Sequence, residues 1–380
     1  MPCKECPVVS QRMDLALEMV RRNRSVREIA AKFGVSRTTA YKWQSRFRAR
    51  GRDGVENASR RPHHSPAKTP DPIEEFICAM RERIPHWGPE KIHAFVTNCG
   101  TLGLPSARTV ARILKRCGRI EPREPAPTGL TRFEHPAPNE LWQIDFKRTV
   151  RLNWYPPMKA IPMAILDDHS RFSIALDANP DRQLDTVWPV LWHAMGQYGM
   201  PLCILTDNDS VFRGRRGGIT AWTARLLRLG IRHSSGRAYH PQTQGKVERF
   251  HGTLQTEVLA DAVFRSLEQL QEAFDQFRDT YNHLRPHAAL DLDVPADYYA
   301  PSPRERPDRI PPVEYPKGVQ IRKVMNNGAI SVRNCRIHVG EGITGEHVQL
   351  HDCDPWLHIE YAGHMFRRVR WDELRRDRSI

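Results

Sequence analysis

Two proline-rich breaks constrain this chain more than any other feature. One runs from Arg119 to Pro138 and the other from Pro301 to Pro316. Proline has no amide donor and holds its predecessor out of the helical region, so neither stretch is predicted to be helix or central strand. The 380 residues therefore divide into a basic helical N-terminal part, a middle part and a small C-terminal part. The N-terminal part itself reads as two units, 1–60 and 68–118. A linker at 119–138, a core at 139–300, a linker at 301–318 and a strand-rich module at 319–375 complete the expected division.

Composition narrows the partners. Lys and Arg number 58 against 44 Asp and Glu, a net charge of +14, which points to a polyanion, most often nucleic acid. Residues 1–68 alone hold 16 basic against 6 acidic residues, so most of the excess sits there. The 39% hydrophobic content suits a globular chain rather than a disordered one. Eight scattered Cys fit a reducing compartment better than a disulfide scaffold. The first 30 residues show no apolar run of the signal-peptide kind. The uncharged stretch from Thr186 to Thr206 has its large residues on one stripe, from Leu184 to Met195, which describes an amphipathic core helix and not a bilayer span. A cytoplasmic, nucleoid-associated protein without membrane contact is expected.

Ser25–Arg50 carries a helix-turn-helix pattern. Ile29, Ala30, Phe33, Val35, Ala40 and Trp43 share a core, Gly34 makes the tight turn, and Ser36 caps the second helix. That second helix presents Arg37, Thr38, Tyr41, Lys42 and Arg46 outward, where a major groove would receive them; the plain alternative is a solvated basic face. Asp71–Arg83, Pro89–Asn98 and Ser106–Cys117 form a further helical group with Ile92, Phe95, Val96, Val110, Ile113 and Leu114 inward. Ser106 is expected to cap its last helix, and Arg108 and Lys115 lie on it. Either DNA contact or a purely structural bundle fits this group.

The middle part alternates as strands at Leu141–Val150, Lys159–Leu166, Arg171–Ala178, Leu202–Leu205 and Ile231–Ser234, with a helix beginning near Gln244. On that helix Val247, Phe250, Leu254 and Val258 make the buried stripe, while Glu248, His251 and Gln255 share another face. An Asp in mid-strand, such as Asp145, is costly unless paired or bound to metal, and strand carboxyl ends are where α/β folds build sites. Three carboxylates from two strands and one helix would hold two divalent cations, which clamp both oxygens of an in-line phosphoryl displacement. Composition does not select those three among 44 acids.

The surrounding strings do. Asp145 in WQIDF, Asp207 in LTDND and Glu248 in HPQTQGKVERFHGTL resemble the DDE signature of bacterial insertion-sequence transposases and retroviral integrases. The likeness extends to Tyr281-Asn282 with Arg285-Pro286-His287 and to the paired upstream helix-turn-helix units. It implies a multidomain protein with α-helical helix-turn-helix domains, an α/β RNase H-like core built on a mixed five-stranded sheet, and a small C-terminal β-barrel. It also implies Asp145, Asp207 and Glu248 as catalytic metal ligands, two Mg²⁺ ions with Mn²⁺ as a substitute, double-stranded DNA ends and target as partners, and a dimer or larger synaptic complex. The function implied is a transposase that binds its terminal inverted repeats, cuts 3′ ends and transfers strands. The alternative is a sequence-specific DNA-binding regulator derived from a transposase and without catalysis; a tyrosine recombinase would need Arg and His partners that do not assemble.

Two departures from the family pattern stand out. Asp209 occupies a position where the family usually has Gly, which makes it an outer-shell candidate. The Asp207–Glu248 gap holds 40 residues, longer than in retroviral integrases, with the basic loop Arg213–Gly218 a place for the excess and for DNA contact. His240 either touches the reacting phosphate or fixes its loop, and Lys246 and Arg249 either hold DNA or are solvated helix charges. Asp167-Asp168 reads as turn chemistry rather than a metal site. Cys3 and Cys6 read as free thiols, which His63-His64 does not turn into a zinc set. In the C-terminal part Ile330, Val332, Cys335, Ile337, Val339, Val348, Leu350, Leu357, Ile359 and Tyr361 alternate, Asn327-Gly328 signals a hairpin, and Arg322, Lys323, Arg333 and Arg336 make one edge basic.

Overall fold

A computed structural model describes residues 8–57, 68–100, 103–120, 134–214, 217–235 and 245–376. Cys3, Cys6, His63, His64 and His240 lie outside the described residues. Residues 1–68 fold as one unit and 69–380 as another. Among the described residues no helix is long and apolar enough to cross a membrane.

The first unit holds α1 (Val8–Arg21), α2 (Val26–Lys32) and α3 (Arg37–Arg50). Ile29, Ala30 and Ala40 are buried as the pattern requires, with Phe33, Val35 and Trp43 packed on them. Helix α1, which the sequence reading did not place, completes this core with Leu15 and Met19. The turn follows from local chemistry: Gly34 takes φ +63°, and the Ser36 hydroxyl accepts from the Thr39 amide. Ser25 and Glu28 close a reciprocal capping box at the start of α2.

The second unit opens with α4 (Asp71–Arg83), α5 (Pro89–Asn98) and α6 (Ala107–Arg116) around Ile77, Trp87, Ile92, Val96, Val110, Ile113 and Leu114. Ser106 stands at the α6 N-cap, but its hydroxyl meets the Thr109 hydroxyl at 3.3 Å and caps no amide. The core sheet follows: β1 (Leu141–Phe146), β2 (Val150–Leu152), β3 (Met158–Asp167), β4 (Ser173–Asn179), helix α7 (Leu184–Tyr198), β5 (Cys203–Thr206), helix α8 (Ala221–Arg228), β6 (Arg232–Ser235), then α9 (Gly245–Leu254) and α10 (Leu267–His283). The expected single strand Leu141–Val150 is two. Both run antiparallel along β3, but Phe146 pairs with Met163 and Val150 with Ala160, a one-residue slip across the break. With β1 and β2 taken as one interrupted strand, the order is β4-β3-β1-β5-β6, the last three being parallel. One face carries Trp142, Ile144, Ile165 and the Val187–Trp188–Leu191–Met195 stripe of α7. The other carries Ala160, Ala164 and Leu166 under Val247, Phe250 and Leu254 of α9 and Phe274, Phe277 and Tyr281 of α10. The sheet is thus buried on both sides, as parallel strands require.

The stretch 301–318 contains no helix or strand, as its prolines dictate, yet it is tied to the core. The Met200 amide donates to the Arg304 carbonyl at 2.7 Å, the Arg304 guanidinium reaches the Gly230 carbonyl at 3.1 Å, and Arg306 covers the Trp192 ring at 4.2 Å.

The C-terminal part is not a barrel. It is an open antiparallel sheet of β7 (Gln320–Lys323), β10 (His347–Cys353), β11 (Trp356–Tyr361) and β12 (His364–Arg370), in the order β12-β11-β10-β7, beside a separate hairpin of β8 (Ala329–Val332) and β9 (Cys335–His338). Alternation marks the buried residues apart from Cys335, which is only partly buried. It did not require closure, because Ile219, Ala224 and Leu227 of the core cover part of the apolar face that a barrel would seal by itself. The β8–β9 turn is Arg333-Asn334, both at positive φ. Asn327-Gly328 also turns tightly, with the Gly328 amide bonded to Met325, but the strands it joins enter different sheets.

The module attaches just after the expected basic loop, of which Arg215 and Arg216 lie outside the described residues. The Ile219 amide bonds to the Val339 carbonyl at 2.8 Å and the Gly342 amide to the Ile219 carbonyl at 3.1 Å. A Cβ at Gly342 would stand 2.1 Å from the Ala221 nitrogen. Gly342→Ala is therefore expected to destabilise the module by about 1–3 kcal/mol, read as faster hydrogen exchange across β8–β12 while β1–β5 stays protected.

Candidate active site

The parallel register of β1 and β5 ends at Ile144 opposite Thr206. The next residue on each strand is an aspartate, so Asp145 and Asp207 emerge side by side where α/β sheets build sites. Burial pushes the Asp207 carboxyl up from the ordinary carboxylate range, the neighbouring charges of Asp145 and Asp209 add to this, and the Asp209 amide at 3.0 Å and Arg182 oppose it. Behind the pair, His233 bridges the Thr206 and Thr223 hydroxyls at 3.0 Å each. Burial lowers this imidazole to about 4, so it is a neutral strut between β5 and α8.

Asp209 is held by Arg182, with Nη1 2.6 Å from Oδ2. The same guanidinium lies 5.1 Å above the Phe146 ring, and its Nε is buried without a hydrogen-bond partner among the described residues. Arg182 sits in the β4–α7 loop, where nothing in the sequence marked it. The cation is thus placed over the residue that follows Asp145 and beside the loop that carries Asp207.

Helix α9 closes the site from the other direction. His251 Nδ1 lies 3.3 Å from Asp145 Oδ2, and its Nε2 is buried with no described partner. Glu248 stands one turn earlier on the same helix and is solvent-exposed, as is Arg249. Lys246 turns inward: its Nζ is 2.6 Å from Asp168 Oδ1 and 2.9 Å from the Asp168 carbonyl. Asp168 has no exposed side-chain surface. It also accepts from the Gln143 side chain at 2.6 Å and the His135 amide at 2.8 Å. One carboxylate in the β3–β4 turn therefore ties β1, two residues before Asp145, to α9, two residues before Glu248. Its neighbour Asp167 accepts from the Asn139 and Ser170 amides and the Ser170 hydroxyl, which is turn and framework chemistry.

The structure brings Asp145 and Asp207 together and adds His251 and Arg182 to them. Glu248 is on the α9 face that His251 shares. Among the described residues no three carboxylate, imidazole or thiol groups stand close enough to hold a metal ion together. The two aspartates nevertheless suit a hard divalent cation: both donors are oxygen, both are partly buried, and their mutual repulsion is what a cation relieves.

The Tyr281–His287 string builds scaffold rather than site. Asn282 clamps Ser173 of β4, accepting from its amide at 2.8 Å and donating to its carbonyl at 3.0 Å. Arg285 pairs with Glu257 at 3.0 Å, and His287 Nε2 lies 3.3 Å from the Tyr281 carbonyl. In the first unit Arg37, Thr38, Tyr41, Lys42 and Arg46 are all exposed on α3, and in the second Arg108 is exposed on α6.

Comparison with known proteins agrees with this layout. Residues 135–241 and 229–295 match two integrase core domain families, 11–63 a helix-turn-helix domain, and 39–114 a homeodomain-like domain. An insertion element IS476 protein of Xanthomonas euvesicatoria is 28% identical over 163 residues, 43% of this chain and 45% of that protein. An insertion element IS407 protein of Burkholderia multivorans is 26% identical over 256 residues, 64% of this chain and 87% of that protein. The HTLV-2 integrase catalytic core domain in complex with magnesium covers 43% of this chain and 97% of its own at 20% identity, with a TM-score of 0.33. The chain thus carries an integrase core domain across the sheet and helix-turn-helix domains before it, and is similar to bacterial insertion-element proteins and transposases, spanning less than half the length of the Xanthomonas protein.

Proposed function

We propose that this protein binds the terminal inverted repeats of its own element through the N-terminal helices, cleaves the 3′ ends and joins them to target DNA. The observation that carries the proposal is the adjacency of Asp145 and Asp207 at the carboxyl ends of parallel neighbours. Asp145, Asp207 and Glu248 are the proposed ligands. When bound there, a pair of Mg²⁺ ions, or Mn²⁺ in their place, supplies positive charge to the reacting phosphate and its attacking and leaving oxygens. The chain does the rest by position and charge. His251 and the Asp168–Lys246 pair set the rotamer of Asp145 and the first turn of α9, and Arg182 holds the Asp207 loop through Asp209. Arg249 and His240 are proposed to steady the DNA strand, and a dimer or larger synaptic assembly is proposed because both element ends react together. The protein is proposed to work in the cytoplasm on the nucleoid.

A strand-transfer assay with Mg²⁺ and duplexes carrying the element ends tests this, joined product being the expected result. End binding without any joining would favour the regulator reading instead. Recognition is tested separately: Arg37→Ala with Tyr41→Ala is expected to cost roughly 1–3 kcal/mol per lost base contact, seen as reduced discrimination between end and random DNA. Unchanged discrimination would remove α3 from the recognition role.

A further inference from the structure

The hairpin that follows Asp145 has a composition the active site does not explain. Between Asp145 and Asp167 the chain holds Lys147, Arg148, Arg151 and Lys159 and no carboxylate. Arg151 and Lys159 are directly opposed across β2 and β3, and both are exposed. Like charges facing each other on a two-stranded ribbon destabilise it unless an anion lies between them. None of the four forms an ion pair among the described residues. The opposite face of the ribbon is ordinary core, with Leu152 and Ala160 buried against α9 and α10.

The tip beyond this pair is aromatic and exposed. Trp154 keeps 55% of its surface and Tyr155 92%. The tip is nonetheless anchored, because the Asn153 amide donates to the Phe264 carbonyl at 2.7 Å. Exposed aromatic rings among unpaired cations match the chemistry of nucleic acid, where bases stack and phosphates neutralise. Residues 159, 161 and 163 of β3 share one face, and Ala164, the partner of Asp145, lies on the other. The tip is about 20 Å along the strand from Asp145. A partner held at the tip is therefore remote from the phosphate that would react beside Asp145.

We propose that the β2–β3 tip is a second DNA contact, in which Arg151 and Lys159 hold the backbone and Trp154 and Tyr155 stack on unpaired or distorted bases. The proposal rests on the transposase reading and names a surface for its DNA. The test uses the full chain and measures affinity against salt for an element-end duplex with a short single-stranded flank, and for random DNA of the same form. Arg151→Ala/Lys159→Ala is expected to lower the salt slope by about two on both probes and to leave thermal stability equal or higher. Trp154→Ala/Tyr155→Ala is expected to weaken flank binding about 5- to 150-fold per stacked base, with little change on a blunt duplex. Wild-type affinity and slope in both variants overturn the proposal. So does a change confined to sedimentation, which would make a second copy of the chain the occupant. Loss of end-versus-random preference in the wild type would instead sink the transposase reading, while the random-DNA arm still decides the tip.

Discussion

Asp145→Asn is expected to abolish cleavage and joining, by about a thousandfold or more, while end binding stays at the wild-type level. The substitution keeps the shape of the side chain on β1 and removes the charge that a cation would share with Asp207. The same change relieves a repulsion: the Asp145 charge is one of the causes that push the Asp207 carboxyl up, after burial. The metal-free variant is therefore expected to melt no lower than wild type, since the site trades stability for charge. Strand-transfer gels, a gel-shift titration and a melting curve without divalent ions read the three outcomes. A variant that melts several degrees lower would make Asp145 a structural residue held by His251, and residual joining near wild type would remove it from the chemistry.

Asp168→Ala is expected to have the largest effect on stability. The carboxylate is fully buried and serves the Lys246 ammonium, the Gln143 amide and the His135 amide together. Its loss leaves the Lys246 ammonium with the backbone carbonyl of residue 168 at 2.9 Å but no counter-charge there, and takes the carboxylate acceptor from the Gln143 side chain and the His135 amide, at a cost of about 3–5 kcal/mol, or a melting shift on the order of 10 °C. Lys246→Met leaves the complementary orphan and is expected to cost a similar amount. Combining Asp168→Ala with Lys246→Met should recover part of the loss, because neither charge then remains unpaired. Denaturation of the four proteins gives the coupling energy. Strict additivity of the two losses would show that the pair does not act as one unit, and that the first turn of α9 is held by Val247 and Phe250 alone.

Burial of an ionisable group also shapes what is reactive elsewhere. The Lys91 ammonium on α5 is pulled down to about 8, first by burial and then by Arg285. Lys91 is thus half deprotonated near pH 8. Selective acylation at pH 8, followed by peptide mapping, is expected to label Lys91 ahead of Lys42; equal labelling would place Lys91 in solvent.

Periodicity was enough to find α4 and α5 at their ends and the stripes of α7 and α9, because each is a local pattern whose buried side faces a single neighbour. Capping and turn chemistry did the same for Gly34 and Ser36. The strings around Asp145, Asp207 and Glu248 marked the acids, and two adjacent strands in parallel register then brought the aspartates together. The inward turn of Lys246 was not legible, since its partner lies 78 residues away in the chain and its neighbours look like solvated helix charges. Arg182 carries no periodic or motif signal at all; only the fold of the β4–α7 loop sets it against Asp209 and Phe146. The expected barrel is absent for a related reason. Alternation says which side of a strand is apolar, not what covers it, and here residues of the core sheet's own loop and helix do. Thus the amino-acid order determined the local elements and their buried faces, because those depend on neighbours three or four residues away. Which charges are paired, which module seals which face and which cations are left facing outward were decided by contacts between distant segments, which only the tertiary structure creates.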